Sequence, residues 1–150
     1  MLTIRKAVMF DAAVIADIYN QGIAERSATF ETELRTAADV EARLLEQGRY
    51  PILVAEENGR VIGWAGTSNY RPRACYTGIG EVSIYLDGAA RGRGIGRQLL
   101  EALIATARDH GYWKLVSRVF PFNEASRALC RSCGFREVGV YEKHGCLDGR

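Results

Sequence analysis

A mixed α/β (α+β) domain, with a mostly antiparallel central sheet flanked by about four helices, is the fold class this sequence predicts. Three observations predict it. Ile52 to Glu56 and Val61 to Gly66 are β-rich runs joined through Asn58-Gly59, a pair that favours a tight antiparallel hairpin. A long stretch from about Gly94 to His110 carries Leu99, Leu100, Leu103 and Ile104 on one helical face and ends at Gly111. The element order then mixes that hairpin with strand and helix crossovers, which a mixed sheet accommodates.

The other elements follow from punctuation and period. Thr3 to Ala7 reads as a first strand, and Asp11 as the cap of a helix whose apolar positions Ala12, Ile15, Ala16, Ile18 and Tyr19 continue to about Glu25. Ser27 to Glu33 reads as a loop. Thr36 caps a second helix that buries Val40, Leu44 and Leu45, and Gly48 with Pro51 stops it. Asn69 to Gly80 is a polar connection, and Glu81 to Leu86 alternates as a strand with one buried face. Lys114 to Phe120 is a further strand. Asn123 caps a fourth helix with Ala125, Ala128 and Leu129 that Gly134 stops, and Phe135 to Tyr141 returns as a strand.

Composition narrows the class. A chain of 150 residues, 47% hydrophobic, supports one sizeable core, so a single domain over 1–150 is expected. The 20 Lys and Arg against 18 Asp and Glu leave +2, too little for a body built to coat nucleic acid. The longest apolar run near the start, Ala12 to Ala16, falls far below the roughly 18 residues of a membrane span. No apolar signal core follows Met1 to Lys6, so a cytoplasmic location with the four cysteines as thiols is the expectation.

Chemistry concentrates in Glu81 to Arg97 (EVSIYLDGAARGRGIGR). A strand delivers the chain to Arg91, and Gly92, Arg93, Gly94, Ile95 and Gly96 open the long helix. Without Cβ atoms such a backbone turns tightly and approaches a ligand, while the first-turn N–H groups and the helix dipole favour an anion. A phosphate cradle is the sharper reading, and a plain loop the blander one. Two other phosphate motifs fail on spacing: a GxGxxG beginning at Gly92 would need glycine where Arg97 stands, and a Walker loop needs Lys followed by Ser or Thr.

Arg91, Gly94 and Gly96 match R/Q-x-x-G-x-G/A, and in this the chain resembles the GNAT family of N-acetyltransferases, in which that loop holds the pyrophosphate of acetyl-CoA. Asn123 opening the next helix and Gly134-Phe135 closing it look like the family's second cofactor region. Tyr19-Asn20, Ala28-Thr29-Phe30, the hairpin ending in Gly63, Glu81, and Gly145 to Gly149 are similar to the phosphinothricin and methionine sulfone N-acetyltransferase branch, over essentially the whole chain. That resemblance implies a homodimeric detoxification or herbicide-resistance enzyme that acetylates the α-amino group of phosphinothricin, arsinothricin, methionine sulfoximine or methionine sulfone, without a metal. It implies acetyl-CoA contacts from Ile84, Tyr85, Leu86, Arg91, Gly92, Arg93, Gly94, Ile95, Gly96, Arg97, Asn123 and Ser126. Branch members continue into one more strand, whereas this chain stops at Arg150, so a domain lacking its last strand is expected. Cys130 stands where the wider family often has Tyr and close relatives often have His.

Amide formation needs a neutral amine, a polarised thioester carbonyl and a proton for the departing thiolate. Glu81 is the candidate base, acting through water; by spacing alone it is equally an exposed strand-end carboxylate. Ile84 to Leu86 suit pairing with the amide-bearing pantetheine arm as an added strand would, and a backbone N–H there suits an oxyanion. Among the arginines, Arg97 ranks above Arg91 because it lies within the loop. Cys130 is a candidate acid whose plainer role is a small buried side chain, with Tyr141 and His144 as substitutes. Arg71 and Arg73 suit an anionic or oxo-rich amino acid because guanidinium pairs bidentately with such groups. The branch also uses backbone groups here, Ala74, Cys75 and Tyr76, with Phe30 as an apolar wall.

Rival readings are a zinc site from Cys130, Cys133, His144 and Cys146, for which the spacing is poor, and a thioredoxin-like pair, which should follow a strand. A non-catalytic acetyl-CoA sensor has no use for Glu81. An acetyltransferase of polyamines or aminoglycosides should have an acidic acceptor site, which Arg71 and Arg73 oppose, while a protein N-terminus stays open as acceptor.

Overall fold

The computed structural model describes residues 2–25, 34–69, 78–119 and 123–138. In chain order these form β1 (Leu2–Lys6), α1 (Ala12–Glu25), α2 (Ala37–Leu44), β2 (Ile52–Glu57), β3 (Arg60–Asn69), β4 (Ile79–Leu86), α3 (Ile95–Asp109), β5 (Lys114–Val116) and α4 (Glu124–Ser132). Short 3-10 turns lie at Met9–Asp11 and Gly88–Ala90. The strands make one sheet in the order β1-β2-β3-β4-β5, antiparallel from β1 to β4 and parallel between β4 and β5. The mixed, mostly antiparallel sheet expected from the sequence is therefore present, with α3 making the crossover that a parallel pair requires.

The β2–β3 hairpin turns through Asn58 (φ 53°) and Gly59 (φ 79°), two successive left-handed residues as a type I′ turn demands. Just beyond it Ala55 pairs with Gly63 and Glu56 with Val61, so Ile62 is an extra residue and β3 bulges there. Helices cover both faces. On one, Ile15 and Ile18 of α1 and Val40 and Leu44 of α2 pack with Val54 and Trp64. On the other, Leu99, Leu100 and Leu103 of α3 are fully buried against Ala55, Ala65 and Val82, each worth about 1.5–3 kcal/mol relative to exposure. α2 begins with a reciprocal cap: Thr36 Oγ1 accepts from the Asp39 amide at 3.2 Å, and the Asp39 carboxylate accepts from the Thr36 amide at 2.9 Å.

Four local expectations need correction. Leu45 is 76% exposed, because α2 ends at Leu44 and the next residues turn away from the core. Asp11 sits in the 3-10 turn, and its carboxylate reaches back to the Val8 amide at 2.8 Å and to Arg5. β5 is confined to Lys114–Val116, since β4 pairs with it over those residues alone. Residues 135–138, expected to begin a strand, have no regular structure, and the remainder of that stretch lies outside the described residues.

Candidate active site

β4 keeps its ladder with β3 throughout, from Gly80↔Asn69 to Leu86↔Gly63. Its ladder with β5 has three rungs and ends at Glu81↔Val116. Beyond that rung β5 no longer follows β4, and the sheet opens where the strand runs on through Ile84, Tyr85 and Leu86 towards the glycine loop.

Period two sorts the side chains around this opening. Val82, Ile84 and Leu86 pack with α3. Tyr85 faces the other way, stacking on Tyr19 and Trp64 with ring centroids 4.9 and 5.4 Å away. Glu81 shares the parity of Tyr85 and so faces the α1 layer. Arg118, two residues past Val116, has the same parity, and its Nε and Nη2 donate to the two carboxylate oxygens of Glu81 at 2.8 and 3.0 Å. Ser117 takes the opposite face, where its Oγ lies 3.8 Å from Sγ of Cys130 on α4. Burial pushes the Cys130 thiol above its ordinary value, and the contact with Ser117 only partly offsets this.

The loop after β4 is anchored where Gly88 N–H donates to Oε1 of Gln21 at 2.9 Å. Gly92 and Gly94 have φ of 78° and 76°, and nothing crowds a Cβ at either position, so glycine is needed there for conformation. Gly96 answers a different demand: a Cβ would lie 3.2 Å from Cδ2 of Leu129, the point where α3 and α4 approach. Gly94 occupies the N-cap of α3 and no side chain caps it, which leaves the first-turn amides to meet an anion. The residues present thus fit a pyrophosphate. The guanidinium of Arg93 pairs with Glu57, and that of Arg97 turns along α3 to Glu101 at 2.8 Å, while Arg91 is exposed. On α4, Oδ1 of Asn123 accepts from the Ser126 amide at 3.2 Å, so that amide is committed to the cap.

The structure therefore brings Glu81, Cys130, Ile84 to Leu86 and the glycine loop around the same opening. Phe30, Arg71, Arg73, Ala74, Cys75 and Tyr76 lie outside the described residues, as do Tyr141, His144 and Cys146. On α1, Asn20 holds the backbone of Arg35 from both sides, donating to its carbonyl at 2.9 Å and accepting from its amide at 2.7 Å. Arg118 and Ser117 are the residues that sequence reasoning missed. The one signal was a charged residue inside the expected strand KLVSRVF; its partner depends on a parallel register that the sequence does not display.

A model of the Acetyltransferase (GNAT) family matches residues 13–135. The chain belongs to that family. A phosphinothricin N-acetyltransferase of Alcaligenes faecalis is 36% identical over 155 residues, covering 99% of this chain and 77% of the relative. An L-methionine sulfoximine/L-methionine sulfone acetyltransferase of Salmonella typhimurium is 36% identical over 154 residues, covering 99% and 88%. Among solved structures, a GNAT superfamily phosphinothricin acetyltransferase from Sinorhizobium meliloti in complex with acetyl-CoA superposes with a TM-score of 0.92 at 34% identity, covering 99% of this chain and 82% of that one. This GNAT protein is accordingly an acetyl-transferring enzyme of the same branch. Among its described residues no helix is long and apolar enough to cross a membrane.

Proposed function

We propose that this enzyme transfers the acetyl group of acetyl-CoA to the α-amino group of phosphinothricin-like amino acids: phosphinothricin, arsinothricin, methionine sulfoximine and methionine sulfone. The observation that carries the reading is the position of Glu81 on the last rung before β4 and β5 part, one strand-length from an uncapped, glycine-built helix N-terminus. The acceptor class rests on the relatives' substrates and on Arg71 and Arg73, whose guanidinium forks suit a carboxylate, phosphinate or sulfone oxygen. A cytoplasmic homodimer is part of the same reading.

Acetyl-CoA supplies the activated acyl group as a thioester. Its phosphates suit the first-turn amides of α3, with Arg91, Arg93 and Arg97 close by; exposed pairs such as Arg93–Glu57 hold a guanidinium weakly enough for it to change partners. The strand edge at Ile84 to Leu86 suits the pantetheine amides, and an N–H there steadies charge on the acyl oxygen. Glu81 takes the proton of the ammonium through water, and the neutral nitrogen forms the new N–C bond as the C–S bond breaks. The departing sulfur receives a proton from Cys130, whose burial keeps it a thiol; the second proton, shed by the acylated nitrogen, returns to the Cys130 sulfur through water, and Glu81 passes its own to solvent.

Thiol release from acetyl-CoA, with phosphinothricin, methionine sulfoximine, methionine sulfone, spermidine and a Ser-initiated peptide as separate acceptors, tests this. Turnover is expected with the three amino acids alone; turnover only with spermidine or the peptide would overturn the acceptor. With phosphinothricin, Glu81→Gln is expected to lower kcat/KM by about 10² or more with acetyl-CoA binding kept. An unchanged rate would remove Glu81 from the mechanism.

A further inference from the structure

We infer that Arg118 is a positioning residue for Glu81, fixing the direction of the catalytic carboxylate across the gap where β4 and β5 part. The inference rests on the reading of Glu81 as general base and extends it to a residue outside the glycine loop and outside the acceptor arginines.

Its basis is geometric. The β4–β5 ladder ends at Glu81↔Val116, and two residues later the chain returns a guanidinium to the carboxylate it has just left. Both oxygens of Glu81 are engaged, one by Nε at 2.8 Å and the other by Nη2 at 3.0 Å, the fork-on-fork pairing that fixes orientation as well as distance. A glutamate without such a partner explores several rotamers, and a base has to be aimed before it can act. Each carboxylate oxygen retains a second lone pair, so the pairing leaves a place for the water through which Glu81 works. Stability is a poor account of the contact, because the Arg118 side chain is 60% exposed and pairs of that kind contribute about 0–1 kcal/mol. Lysine could replace it only in part, having a point charge where the site uses a planar fork.

Steady-state kinetics of the full chain with acetyl-CoA and an acceptor it turns over provides the test, using Arg118→Ala, Arg118→Lys, Glu81→Gln and the double variant Glu81→Gln/Arg118→Ala. Arg118→Ala is expected to lower kcat about tenfold or more, with KM for both substrates within about twofold and the melting temperature within a few degrees. Arg118→Lys should recover only part of that loss. The double variant should be no slower than Glu81→Gln alone, since a residue acting through Glu81 has nothing left to act on. Added guanidinium ion should restore part of the rate of Arg118→Ala and none of the double variant. Several results would overturn the inference. If Glu81→Gln is slow while Arg118→Ala retains full kcat, Arg118 does not position the base and the base reading stands. Independent, multiplying losses, or a loss confined to the acceptor KM, would make Arg118 a substrate contact instead. A fully active Glu81→Gln would remove the base reading, and this inference with it.

Discussion

Glu81 and Cys130 stand on opposite faces of the sheet, at the one level where β4 and β5 separate. Glu81 shares the Tyr85 side with Arg118, and Cys130 meets Ser117 on the α3 and α4 side. In a continuous ladder the two groups would be divided by hydrogen-bonded backbone. Because the β4–β5 pairing stops at Glu81↔Val116, the proposed reaction would place the acceptor's amine towards one face and the sulfur of acetyl-CoA towards the other. On the proposed reading, the separation of base from acid follows from the sheet's opening.

Cys130 gives the first prediction. Cys130→Ser keeps an O–H beside the departing sulfur, though a far weaker acid than a thiol, and should retain more kcat than Cys130→Ala, which should lower kcat about tenfold with acetyl-CoA affinity unchanged. The sign of the pH dependence follows from burial, which raises the thiol: the donor is present below that raised value and lost above it. The rate of the unaltered enzyme should therefore persist past the usual thiol range near pH 8.5 and fall beyond it. Equal activity of both variants and no alkaline fall would reduce Cys130 to packing.

Gly94 and Gly59 make a matched pair. Each has a left-handed φ, 76° and 79°, with open space around a built Cβ. Alanine at either should cost about 1 kcal/mol of stability, from backbone conformation alone. Only Gly94→Ala should also weaken acetyl-CoA binding, because it alters the turn that presents the first amides of α3. Calorimetric titration of the two variants checks this; equal affinities would detach the loop from the cofactor.

Asp11 carries the third. Its carboxylate, 3% exposed, accepts from Arg5 at 2.8 and 3.0 Å and from the Val8 amide at 2.8 Å. Burial acts to raise its pKa, but the Arg5 and Val8 hydrogen bonds and the Arg5 charge together outweigh it, and the group rests below the usual carboxylate range. A depressed carboxylate stabilises the fold above its unfolded value near pH 4, and that contribution is lost as pH falls through the folded value. Asp11→Asn should cost about 2–3 kcal/mol at pH 7 and progressively less as pH falls through the lowered folded value, as read by urea unfolding. A cost independent of pH would show that the charge is not what matters.

The local grammar of the chain was legible without coordinates. Asn58-Gly59 announced the hairpin because both residues tolerate positive φ, and Leu99, Leu100 and Leu103 announced α3 because their spacing has a helical period. Gly92 and Gly94 marked the tight turn before α3 for the same reason, since left-handed backbone is a property of the residue itself. Gly96 was legible as glycine but not in its role: only the approach of Leu129 from α4 shows that it serves packing.

Partners distant along the chain could not be read that way. Arg5 meets Asp11 nearby in sequence but also pairs with Glu56, 51 positions away, and Glu81 meets Arg118 across 37 positions. Such pairings depend on strand register, which is set by how Val82, Leu115 and the α3 leucines pack together, and a slip of one residue would send every side chain to the other face. The sequence by itself determined the hairpin, the main helices and the glycine turn, because these are written in the conformational preferences of neighbouring residues, while Glu81 stood out as a candidate base through the family resemblance. The tertiary structure alone decided where the sheet opens, which faces Glu81 and Cys130 occupy and which arginine holds the carboxylate, because those are consequences of packing between segments that only the folded core brings together.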